Sequence, residues 1–172
     1  MNASIILEPD NGQYDGEVEA LYARAFGPGR FAKAATRLRE GNLCRRDLSF
    51  IARSDEIIVG ACRLWPIVDS EGVKALFLGP IAVDKPAQGA GLGKRLVTAC
   101  LAAADADQAQ IILLVGDLSF FAPLGFDIIP RGRIALPGPV DPNRLLWRLK
   151  GDGVQNLPAG RLSVPRATNP KG

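Results

Sequence analysis

Histidine is absent from this 172-residue chain, and with it go Ser-His-Asp and Cys-His catalysis, His-ligated zinc or non-haem iron, and imidazole as a general base. Any proton chemistry must run on other groups. Cysteine is scarce: Cys44, Cys62 and Cys100 lie far apart with no C-x-x-C pair, which excludes a zinc ribbon or a thioredoxin-like redox motif. No metal site is expected, and so sparse a set fits reduced thiols in the cytoplasm. Runs of one charge are missing too. The 21 Lys and Arg against 18 Asp and Glu leave a net charge of +3, without the clustered cations of a nucleic-acid face. The longest apolar stretch, Leu96 to Ala104, is about half the roughly 20 residues a bilayer requires, and the N-terminus has neither the basic nor the apolar region of a signal peptide. These absences predict a cytoplasmic protein with no nucleic-acid or membrane partner.

What is present fits a folded domain. Hydrophobic residues make up 47% and charged residues 23%, far from the composition of a disordered chain, and the length suits one core. The expected division is a domain over residues 1–150 and a polar, Gly/Pro-rich tail over 151–172, pairing briefly through Arg161–Val164. The oligomeric state is left open, a homodimer included.

Ser4–Glu8 reads as a strand closed by the turn residues Pro9 to Gly12. Val18, Leu21, Tyr22, Ala25 and Phe26 recur at helical spacing, and Gly27-Pro28-Gly29 stops that helix. Phe31–Arg39 predicts a second helix, with Phe31, Ala34, Ala35 and Leu38 on one face. Leu48–Arg53 and Ile57–Pro66 predict a hairpin. Lys74–Val83 predicts a strand with a bulge or splay at Gly79-Pro80, where Pro has no N–H for a ladder. Leu92, Leu96, Ala99, Cys100, Ala103 and Ala104 form the apolar stripe of a helix ending near Ala106. Gln110–Val115 is apolar throughout, as a strand covered on both faces is. Asp117 stands where an N-cap stands, opening a short helix through Phe121. Phe126–Ile129 and Leu145–Leu149 read as strands around a Pro/Gly-rich excursion from Pro130 to Asn143.

The segment Val83 to Leu96 joins a strand to a helix through Gly89, Gly91 and Gly93. Closely spaced glycines let successive N–H groups point into one concavity at a helix N-terminus, which suits a phosphate. A Walker loop fails twice here: Gln88 stands where its first Gly belongs, and Arg95 follows Lys94 where Ser or Thr belongs. The dinucleotide fingerprint G-x-G-x-x-G fails because Lys94 occupies its last position.

What remains is Q-x-x-G-x-G, carried by Gln88, Gly91 and Gly93. This resembles the GNAT superfamily of acetyl-CoA-dependent N-acyltransferases, whose pyrophosphate loop reads [QR]-x-x-G-x-[GA]. Leu124-Gly125-Phe126, after a short aromatic helix, is similar to the superfamily's closing Tyr-x-x-x-Gly-Phe, and Leu78 to Val83 is similar to its pre-loop strand. Element order agrees from Ser4 to Leu149. Gly27 to Phe31 and Val115-Gly116-Asp117 resemble a bacterial subgroup of small predicted N-acetyltransferases.

The resemblance implies an α/β fold: a single GNAT-type domain whose mixed central sheet is splayed around an acyl-CoA slot and flanked by helices. It implies acetyl-CoA as co-substrate and an amine as acceptor. The backbone of Gly89, Ala90, Gly91, Leu92, Gly93 and Lys94 would bind the pyrophosphate, with Gln88 in the same loop, and Ile81, Ala82 and Val83 would pair with pantetheine and supply an oxyanion donor. Many relatives protonate the leaving thiolate with a Tyr; Phe121 stands there, after Phe120, and neither has a hydroxyl. A carboxylate on the pre-loop strand often acts as base, yet Lys74–Val83 holds none. Asp117, at the end of the apolar strand, and Ser119, two residues on, are the candidates left for proton chemistry, although an N-cap explains Asp117 more simply. Phe26, Arg30 and Phe31 border the expected acceptor region. Arg63 and Trp65 share a strand face; core packing explains the aromatics more simply, and Arg63 by itself suggests only an anionic substituent on the acceptor. Two other readings remain: a non-catalytic acyl-CoA sensor or interaction module, which the two phenylalanines favour, and a nucleotide-binding protein unrelated to CoA.

Overall fold

The computed structural model describes residues 4–151 and 154–166. Nine strands and four α-helices, with short 3-10 turns between them, are assigned among these residues. Strands β1 (Ile5–Pro9), β2 (Phe50–Ser54), β3 (Ile57–Val68) and β4 (Lys74–Val83) pair antiparallel in sequence order. Strand β5 (Ile111–Val115) joins β4 in parallel, and β8 (Leu145–Leu149) and β6 (Asp127–Ile128) complete a sheet ordered β1-β2-β3-β4-β5-β8-β6. This is a mixed α/β fold with its sheet flanked by helices, as the resemblance implies. No described helix is long and apolar enough to cross a membrane.

Helix α3 (Leu92–Ala106) covers one face, burying Leu92, Leu96, Val97, Cys100, Leu101 and Ala104 against Leu76, Leu78, Ile112 and Leu114 of the sheet. Each large apolar side chain so buried contributes roughly 1.5–3 kcal/mol. Helix α1 (Asp15–Phe26) packs Val18, Leu21 and Tyr22 on β2, β3 and β4. Ile111 and Leu113 serve a further cluster with Phe77 and Trp147, so β5 is covered on both faces and needs no polar residue.

The second helix differs from expectation. Residues Pro28–Ala32 form a 3-10 turn, Lys33 is extended at φ −73°, ψ 140°, and only Ala34–Arg37 make an α-turn, α2. The Thr36 hydroxyl donates to the Arg30 carbonyl, a local bond that competes with a continuous helical ladder. Ala34 and Leu38 are buried as predicted; the Phe31 side chain lies outside the described residues. The excursion after Pro130 contains β7 (Ile134–Ala135), which pairs in parallel with β9 (Gly160–Arg161). Ser163 bridges Val68, and Leu162, 1% exposed, joins the Trp147 cluster. Asp69 fastens this return by accepting the N–H groups of Glu71, Val73 and Ala159 at 2.9–3.0 Å.

Asp105 at the end of α3 accepts both Arg148 Nη atoms at 2.8 and 2.9 Å and Lys150 Nζ at 2.6 Å. The Arg148 bonds, ahead of the opposing effect of burial, hold its carboxyl down at about 2. A depressed folded-state pKa contributes stability above the ordinary carboxylate pKa, lost as pH falls through the folded value. Asp105→Asn is expected to cost about 1–2 kcal/mol at pH 7 after allowance for partial exposure. Urea denaturation across pH should show the deficit close between about pH 4 and pH 2.

Candidate functional site

The β4–β5 pair separates almost as soon as it forms. Only Leu76↔Ile112 and Phe77↔Leu113 are in register, after which the strands diverge. The divergence starts at Gly79-Pro80, a cis peptide, where Cys62↔Ile81 and Leu64↔Leu78 leave two residues of β4 opposite the single Arg63 of β3. That is the bulge the sequence places there, and it changes which side chains face α3: Leu76 and Leu78 before it, Ile81 and Val83 after it.

Between the splayed strands lies a cavity of about 850 Å³. Its walls include Leu78 to Ile81 and Val83 from β4, Leu114 and Val115 from the end of β5 with Gly116 and Asp117 after it, Gly93 from α3, and Tyr22 and Phe26 from α1. The two carbonyls at the break are held by aromatic side chains. Trp65 Nε1–H donates to Gly79 O at 2.6 Å, and the Tyr22 hydroxyl donates to Pro80 O at 3.2 Å. A bulge orphans backbone acceptors, and buried Trp and Tyr seek a partner for their polar tips; the two needs meet. Burial pushes the Tyr22 phenol well above its ordinary value, which keeps it neutral and a poor proton donor to a thiolate.

At one end of the cavity the loop turns into α3. Gln88 Nε2 donates to Val83 O at 2.9 Å and ties the loop to the strand. Gly89 and Gly91 adopt φ +90° and +72°, and an added Cβ at either position would have nothing within 4 Å, so backbone conformation and not crowding explains these glycines. Gly91 O accepts the Arg95 N–H at 3.0 Å, leaving the N–H groups of Leu92, Gly93 and Lys94 ahead of the first helical bond. A Cβ on Gly93 would lie 3.8 Å from Val83 Cγ2, ordinary contact. Ala90 and Lys94 are exposed and Leu92 is core.

The proton-transfer candidates separate. Asp117 lines the cavity and occupies the N-cap position of α4 (Leu118–Phe121), yet makes no side-chain cap bond; it pairs instead with Arg144 Nε at 3.2 Å. Ser119 is exposed and is not among the lining residues. Phe121 is buried edge-on between Phe120 and Phe126. Arg63 is turned away from the expected role: it is buried against Asp10 at 2.7 Å and Asp15 at 2.6 Å, because a guanidinium taken out of water needs carboxylate partners. Burial pushes the Cys44 thiol up, and the Cys100 contact followed by burial does the same for Cys62, so neither is a ready nucleophile. Among the described residues no His, Cys, Asp or Glu cluster is placed to hold a metal.

Trp65, which shares a strand face with Arg63, lines the cavity, and so do Tyr22 and Arg39, which the sequence does not mark as site residues. Tyr22 sits in the apolar stripe of α1, where spacing marks it as core; its hydroxyl is the one signal that it needs a partner.

The profile of the family described as Acetyltransferase (GNAT) family matches residues 16–126. The chain is 27% identical over 113 residues to the uncharacterized N-acetyltransferase YhbS of Escherichia coli K12, covering 64% of this chain and 66% of that relative. The chain thus spans just under two thirds of that relative's length. In three dimensions it is similar to E. coli YhbS in complex with CoA (TM-score 0.71, 24% identity, 96% of this chain and 91% of that one). It is also similar to a GNAT family acetyltransferase of Brucella melitensis in complex with acetyl-CoA (TM-score 0.69, 20% identity, 97% and 99%).

Proposed function

The chain belongs to the GNAT acetyltransferase family, and from that premise we propose that it transfers an acetyl or other short acyl group from acyl-CoA to an amine. The observation that carries the reading is the slot between β4 and β5, which adjoins Gly93 at the N-terminus of α3. In this reading Gly89 to Lys94 take the pyrophosphate on backbone N–H groups aided by the helix dipole. Ile81, Ala82 and Val83 take pantetheine along the edge that β5 leaves free, as an added strand, and one of their N–H groups polarises the thioester carbonyl. YhbS and the Brucella protein, whose structures hold CoA and acetyl-CoA, support the choice of ligand. The proposed site lies within residues 1–150, the unit we assign to acyl transfer.

The reaction forms a bond from the amine nitrogen to the acyl carbon and breaks the carbon–sulfur bond, releasing CoA as thiolate. The ammonium proton, with a pKa near 10, leaves to water before attack, and the thiolate departs unaided or takes a proton from water. Phe121 has none to give; the second proton, which nitrogen sheds as the amide forms, passes to water or to a cavity-wall carboxylate such as Asp117 or Glu19. Positioning then supplies much of the rate, since effective molarity is worth roughly 7–11 kcal/mol.

Calorimetric titration with acetyl-CoA, CoA, ATP and NAD tests the reading. Micromolar binding of acetyl-CoA and CoA is expected; tight ATP binding without a response to CoA overturns it. A thiol-release assay with an amine panel then separates an enzyme from a sensor that binds acyl-CoA without turnover.

A further inference from the structure

The wall of the cavity opposite β5 is built by α1 and the turns around α2, and its charged residues are Glu19, Arg30, Lys33, Arg39 and the exposed Glu40. Their partners differ. Arg30 donates to the Gly27 carbonyl at 2.9 Å, and Lys33 lies over the Phe26 ring at 5.3 Å. Glu19 stands 3.6 Å from Arg63, whose own bonds go to Asp10 and Asp15. Arg39 is half-buried and donates to the Thr36 hydroxyl at 3.0 Å. Among the described residues it has no carboxylate within 4.0 Å, whereas the more deeply buried Arg63 and the partly buried Arg148 hold carboxylates at 2.6–2.8 Å.

A guanidinium offers five donors and loses hydration when buried, so it normally meets a carboxylate or phosphate. Burial pulls Arg39 below its ordinary value, against the opposing influence of Tyr22 and Glu19. That influence also means Arg39 stands near Tyr22, the residue bonded to Pro80 at the strand break. Glu19 and Arg39 therefore present opposite charges on one wall without bonding each other, a pattern complementary to a small zwitterion.

We propose that the acceptor is an amino-carboxylic acid and that Arg39 binds its carboxylate, with Glu19 on the same wall as its amine. This deepens the acyl-transfer reading of the same site and rests on it. It moves the anion-binding role that the sequence assigns to Arg63 onto a residue that lines the cavity.

The test uses products as probes, because they bind without turnover. Protein saturated with CoA is titrated calorimetrically with the N-acetyl derivatives of glycine, alanine, glutamate, lysine and phenylalanine, each beside its carboxamide. At least one carboxylate is expected to bind about tenfold or more tightly than its amide, as a charge-assisted bidentate pair should. Arg39→Gln should remove that preference while CoA affinity stays unchanged, which also reports that the variant is folded; Arg39→Lys should keep part of it. The proposal is overturned if the amides bind as well as the acids, if no derivative binds, or if Arg39→Gln weakens both forms equally. Failure of the unmodified protein to bind CoA would instead overturn the acyl-transfer reading beneath it.

Discussion

Gly91→Glu is expected to weaken acetyl-CoA binding by about a thousandfold, read by calorimetry. Two effects combine. Gly91 has φ +72°, a conformation that costs an ordinary L-residue about 1 kcal/mol, which weakens binding when the free loop relaxes out of it. The larger effect is electrostatic: a carboxylate brought within about 4 Å of the pyrophosphate is opposed by roughly 4 kcal/mol at the effective dielectric of a protein surface. Crowding contributes nothing, because a Cβ there has no atom within 4 Å. Gly91→Ala isolates the conformational part and should cost only about fivefold. Full retention of affinity in Gly91→Glu would sink the assignment of this loop to the phosphates.

Arg63→Met should be the most destabilising single change considered, at about 3–5 kcal/mol. Arg63 Nε is 2.7 Å from Asp10 Oδ2, with the two side chains 5% and 0% exposed. Removing the guanidinium leaves a buried carboxylate with Arg46 Nη1 at 3.0 Å and the Gly12 N–H at 3.0 Å as its remaining partners. Asp15, bonded to both Arg46 and Arg63, loses a partner in the same step. The double variant Asp10→Asn with Arg63→Met should cost less than the two single costs added, because there is then no buried charge at Asp10 for Arg46 alone to balance. Urea denaturation of the four proteins closes the cycle; a single-variant cost below about 1 kcal/mol would contradict this account.

The lesson of Arg63 is general to this molecule. Its place on a strand beside Trp65 reads from the sequence as a substrate contact, because the chain order gives no sign that Asp10 and Asp15, some fifty positions earlier, will meet it. Ion pairs between distant elements are decided by how α1 is laid on the sheet. Tyr22 fails to announce itself for the opposite reason: helical spacing accounts for it fully as core, and only the break in β4 supplies an acceptor for its hydroxyl. The second helix is shorter than its pattern because apolar spacing at Phe31, Ala34, Ala35 and Leu38 fits a helix whether or not the backbone is continuous; the local bond from Thr36 to Arg30 is invisible to periodicity.

The sequence by itself determined the order of the principal elements, the strand covered on both faces, the bulge at Gly79-Pro80 and the glycine loop at a helix start. Each depends on neighbours in the chain: side-chain period, the missing N–H of Pro, the φ freedom of Gly. Tertiary structure alone decided how far β4 and β5 part, which aromatic tips hold the break, where Arg63 is spent and that Arg39 is left facing the cavity. These depend on contacts between segments tens of residues apart, where burial forces every charge and polar tip to find a partner and local pattern cannot say which one.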